Sequence, residues 1–128
     1  MSGARLARLI PVMEAQKNVS MQRMAEILAR EAECTTRLDQ LSAQEAKQAA
    51  ASALDPFAGD GLSQWRIWAV AQRRAVNLRL ASLRAERELQ SRKLAVLVGR
   101  LDVTETMVQD ANAAAARQRA VRQYDDDF

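Results

Sequence analysis

The segment Asp55-Pro56-Phe57-Ala58-Gly59-Asp60-Gly61 is the clearest break in a chain of 128 residues, and it holds one of only two prolines and two of only four glycines. Pro56 disfavours helical geometry at Asp55, and the glycines let the backbone reverse at little steric cost. Asp60 or Ser63 is placed to cap the next element by accepting from its free N–H groups. So few breaks cannot serve a sandwich or barrel, which needs turn residues every few positions. The chain is instead rich in strong helix formers, with 25 Ala, 14 Leu, 16 Arg, 8 Glu and 3 Lys, the composition of long helices and coiled coils.

Apolar residues before the break recur at Leu6, Ile10, Met13, Met21, Met24, Ile27 with Leu28, Leu38 and Leu41, the three-and-four spacing of a helical stripe. After it, Trp65, Trp68, Val76, Leu80, Leu83, Leu94, Leu97, Leu101 and Val108 keep nearly one heptad phase. The expected fold is all-α, a long antiparallel two-helix coiled-coil hairpin in one domain. Helix one spans about 4–54, the turn 55–61, helix two about 62–123 and an acidic tail 124–128. At 1.5 Å per residue the second helix is a rod of roughly 90 Å and the first, counted from Pro11, about 65 Å. The second therefore overhangs the first. Pro11 predicts a helix start or kink, because a proline inside a helix costs roughly 3 kcal/mol.

A short turn between two long helices makes antiparallel pairing the default. Folding about the turn brings together residues whose numbers sum to about 118. Leu41 then lies near Val76, Leu38 near Leu80, Met24 near Leu94 and Ile10 near Val108, while Glu31 falls near Arg87 and Glu45 near Arg73. Such ion pairs fix register more than they add stability. Lys17, Glu31 and Glu45 on one side, with Arg87, Gln90 and Thr104 on the other, interrupt the stripes. Gly99 adds about 1 kcal/mol of helix penalty, and the stretch from Val96 to Thr104 is rich in β-branched residues. With no third layer, some apolar surface is expected to await a partner.

The composition narrows the chemistry. There is no histidine, so histidine metal sites, imidazole bases and Ser-His or Cys-His nucleophile pairs are ruled out. No glycine-rich phosphate loop or pocket of paired carboxylates is present, so no catalytic residue, metal or cofactor is expected. The single cysteine, Cys34, suits a reducing compartment and the place of a small core residue. No run of apolar residues is long enough for a membrane span, and Arg5 and Arg8 interrupt the opening apolar stretch. The expectation is a cytoplasmic binding or structural element.

Trp65 and Trp68 stand at i and i+3 in the first turns of helix two. Packed on Leu54, Phe57 and Leu62 they would staple the turn; exposed beside Arg66 and Arg73 they have the composition of a docking hot spot; the two roles are compatible, with one tryptophan inward and one outward. Between Arg66 and Arg100, nine basic residues face only Glu86 and Glu88. They spread around the helix without interleaved aromatics, which favours a solvated face or an acidic protein partner over nucleic acid. Beyond Ala111 the chain is alanine-rich and nearly featureless, with Arg117, Arg119 and Arg122 ahead of Tyr124, three aspartates and Phe128. This end is expected either to fray or to form a slim tip that enters a narrow space.

Three features together resemble the FliJ/YscO family, the coiled-coil stalk proteins of flagellar and injectisome type III export. They are the opening Arg5-Leu6-Ala7-Arg8-Leu9-Ile10, the segment Trp65-Arg66-Ile67-Trp68 after the turn, and a basic helix ending in Arg122-Gln123-Tyr124-Asp125-Asp126. The resemblance implies a stalk in the central hole of a hexameric export ATPase, linked to a membrane export gate and to export chaperones. It implies an ATPase-side surface at Leu6, Ile10, Met13, Met107, Arg117 and Arg119. It implies a gate-side surface at Trp65, Trp68, Arg66 and Arg73, although the bulky positions expected one and two turns on fall here on Ala71, Ala75 and Val76. The location implied is cytoplasmic, peripheral to the inner membrane through the apparatus. The other classes are a self-associating structural coiled coil, such as a homodimer, and a nucleic-acid-associated basic rod.

Overall fold

The computed structural model describes residues 3–57 and 59–127, and these form two helices, α1 (Gly3–Leu54) and α2 (Gly61–Asp127), with no strand among them. The helices pack against each other as the all-α hairpin that the stripes and the single break predict. Contacts group the chain into two compact units, one made of Met24–Leu89 and the other of the chain up to Arg23 and from Gln90 onward.

The turn forms for the reasons its sequence suggests. α1 stops at Leu54, ahead of the Asp55-Pro56 pair. The Asp55 carboxylate accepts from the Phe57 backbone N–H at 2.9 Å, closing a local Asx turn. Gly59 adopts φ of 64°, in the left-handed region that other residues avoid. The Asp60 carbonyl accepts from the Gln64 N–H at 3.0 Å, which puts Asp60 in the capping place at the start of α2. Ala58 lies outside the described residues.

In the unit Met24–Leu89, buried and half-buried positions on α1 alternate by three and four through Ile27, Glu31, Cys34, Leu38, Leu41 and Glu45. This is the 3.5-residue repeat of a knobs-into-holes seam. Cys34 packs with Ile27, Leu80 and Leu83, flanked by Leu38 and Val76, as a small apolar core residue. Leu41 is fully buried, and such a side chain contributes about 2 kcal/mol by leaving water. In the other unit the same alternation runs through Leu6, Ile10, Met13, Lys17 and Ser20, against Gln90, Leu94, Leu97, Leu101, Thr104 and Val108. Gly3 marks a close approach, since a Cβ built on it would lie 3.1 Å from the Ala111 Cβ.

Three expectations are corrected. α1 does not start at Pro11, which lies inside a helix running from Gly3, in keeping with the expected span of about 4–54. Leu6 is buried and Ile10 and Met13 are half-buried on either side of it, so seam packing outweighs the hydrogen bond that proline cannot donate. The tail is not a separate element, because α2 continues through Tyr124 to Asp127; no glycine or proline follows Gly99 to stop it, and the alanine run favours helix. Phe128 lies outside the described residues.

The third correction concerns register. The two expected ion pairs form, Arg87 to Glu31 at 2.9 Å and Arg73 to Glu45 at 2.6 Å. Yet Gln90 meets Ser20, donating to its hydroxyl at 2.6 Å, where the expected register calls for Leu28. Side chains on a helix lean toward its N-terminus. In an antiparallel pair, a long arginine and a glutamate therefore meet across a larger number sum than the backbones beside them. Glu45 is also reached by Arg66, seven residues ahead of Arg73, so an arginine–glutamate pair does not by itself fix the register.

Candidate protein-docking surfaces

The first surface lies in the unit Met24–Leu89, where α2 leaves the turn. Trp65 is half-buried and Trp68 is 44% exposed, with ring centroids 6.1 Å apart and planes tilted by 50°. Such a tilted arrangement is a favourable one for aromatic pairs. The Arg37 guanidinium lies 6.0 Å from the Trp68 ring centre, over its face, a cation–π contact. Gln44, Lys47 and Gln48 complete a shallow depression of about 400 Å³ against the two rings. The tryptophans do not cover Leu54 and Phe57, which are 86% and 92% exposed, whereas Leu62 is half-buried.

The two arginines expected here are already partnered inside the hairpin. The Arg66 Nε lies 3.4 Å from one Glu45 carboxylate oxygen and the Arg73 guanidinium 2.6 Å from the other. The Arg73 hydrogen bond, helped by the charges of Arg73 and Arg66, holds the Glu45 carboxyl below the usual glutamate range against the opposing effect of desolvation. Arg66 keeps half its side chain open to solvent, whereas Arg73 is mostly covered. Ile67 and Val70, which no site expectation included, are exposed at 73% and 62%. They adjoin Trp68 in sequence and stand off the seam phase, and that was the signal that could have found them.

The residues that the resemblance would assign to an ATPase-side surface divide into two groups. Leu6 is buried in the seam, and Ile10 and Met13 are half-buried in it, so packing already engages them. Met107, Arg117 and Arg119 are exposed. From Asn112 to Asp127 every described residue is exposed, because α2 has 67 residues against 52 in α1 and its last turns have no α1 turns to face. This is the overhang expected from the two lengths, carrying Arg117 and Arg119 on bare helix.

A third feature was not read from the sequence. Leu9, Val12, Val19, Val96, Val103 and Met107 are all exposed, and each immediately precedes a seam position. Val12 and Val19 share a groove with Lys93, Leu97 and Arg100. No group of residues suited to holding a metal ion occurs among the described residues, and none of their helices is long and apolar enough to cross a membrane. No family model, curated protein or solved structure matches the chain.

Proposed function

We propose that the chain is a non-enzymatic coiled-coil stalk or adaptor of a type III, flagellar-type protein export apparatus. It binds the ring of the export ATPase and links it to the export gate and to export chaperones. The observation that carries this reading is the exposed Trp68, which with Trp65 lines a shallow depression just after the turn, outside the buried seam. Tryptophan edged by arginine is the composition in which binding energy concentrates at protein interfaces.

The reading gives the bare segment of α2 the ATPase contact. A helix within a ring needs no catalytic group; by presenting unlike faces to equivalent subunits it binds their states unequally and shifts their populations. Arg117 and Arg119 are its cations. The test adds the purified chain to the export ATPase of the same cell and measures turnover. Wild type is expected to stimulate hydrolysis, and Arg117→Glu with Arg119→Glu to stimulate less at unchanged helicity. Equal stimulation by both would remove that surface from the proposal.

A further inference from the structure

A groove in the unit containing Gln90–Asp127 combines apolar side chains with charges of one sign. It holds about 580 Å³; Val12, Ala15 and Val19 on α1 and Leu97 on α2 give it apolar surface, beside the uncharged polar Gln16, Ser20 and Gln90. Its polar rim carries three cations, Arg23, Lys93 and Arg100, and no carboxylate lines it. The three cations are exposed, and none belongs to an ion pair of the seam. Val96, Val103 and Met107 extend the apolar strip along α2 at steps of seven and four residues, the spacing that a further helix would match.

From this we propose that the groove is a docking site for an amphipathic helix of another protein whose apolar edge is flanked by carboxylates. Charge complementarity selects the occupant. A second copy joined by two-fold symmetry would set the same face against itself, bringing Arg23, Lys93 and Arg100 toward their own counterparts. Like charges so placed disfavour the pairing, whereas glutamates or aspartates beside an apolar edge meet all three cations. The apolar floor demands a partner that buries side chains, which a nucleic-acid backbone does not supply. The inference does not depend on the export reading, because it concerns only the groove.

The probe is a fluorescein-labelled helical peptide of about three heptads, with leucine at the two seam positions and glutamate at the flanking ones. A twin carries lysine in place of glutamate. Anisotropy titrations of the full-length chain are expected to show the glutamate peptide binding about tenfold tighter than its twin, the effect of three modest exposed ion pairs. Arg23→Glu with Lys93→Glu and Arg100→Glu should invert the order. Val12→Asp with Val19→Asp should weaken the glutamate peptide by at least about tenfold while circular dichroism and melting stay unchanged. Equal binding of the two peptides, binding of neither, or binding indifferent to these substitutions would overturn the proposal. So would a dimer in sedimentation that the valine substitutions dissociate, since the occupant would then be a second copy.

Discussion

At the scale of the residue, the polar groups in the seam decide more about specificity than about strength. Glu31 is buried, with one oxygen accepting from Arg87 and the other without a hydrogen-bond partner. Removing only Arg87 leaves a buried carboxylate unpaired. Because the Arg87 side chain is itself 46% exposed, the expected cost of Arg87→Ala is about 1–2 kcal/mol by chemical denaturation, below that of a fully buried pair. Glu31→Leu combined with Arg87→Leu should be at least as stable as wild type, since an apolar pair has no charge to desolvate. Glu45 adds a pH dependence. Its folded carboxyl titrates below its unfolded value, so its stabilisation is complete above the ordinary glutamate range and disappears as the pH falls through the lowered value. Melting temperatures measured from neutral pH downward should drop less steeply in Glu45→Gln than in wild type over that acid limb.

At the scale of the element, each helix tolerates a local cost because the seam continues past it. A Cβ added at Gly99 meets nothing within 4 Å, so Gly99→Ala should stabilise α2 by about 1 kcal/mol through propensity alone. Slower amide exchange around residue 99 would report it, and a loss of stability would mean that the site is packed. The number and direction of the helices were legible because the heptad stripes and the one break agree. The pairs Glu31–Arg87 and Glu45–Arg73 were legible as opposite charges at seam positions. The register beside them was not, since number sums ignore the lean of long side chains; Gln90 finds Ser20 instead. The helical passage through Pro11 was legible in the stripe, which begins at Leu6 ahead of the proline, although local propensity alone places a start or kink there. Of the candidate surfaces, the tryptophans and the bare arginines were visible as composition. The strip through Val12, Val19, Val96 and Val103 was not, because valines one place ahead of a stripe look like scatter until burial separates the two phases.

At the scale of the whole molecule, the hairpin uses its seam for folding and leaves separate surfaces uncovered, each with a distinct chemistry. A shallow depression lined by Trp65 and Trp68 follows the turn, a groove rimmed by cations flanks the seam, and a bare alanine-rich helix carries Arg117 and Arg119. Separate surfaces of this kind suit an adaptor, because each can lose its partner without unfolding the chain. Trp65→Ala with Trp68→Ala therefore belongs to function more than to stability: Trp68 is 44% exposed, and the pair should lower the unfolding free energy by only about 1–2 kcal/mol. The most direct test of the export reading captures the tagged chain from nuclease-treated native cytoplasm and membranes at moderate salt. Wild type is compared with that tryptophan double variant, and retained proteins are identified by mass spectrometry. The account predicts an export ATPase and an export-gate protein with wild type, and loss of the gate protein alone with the variant. Recovery of the bait alone, or of nothing belonging to an export apparatus, would contradict it.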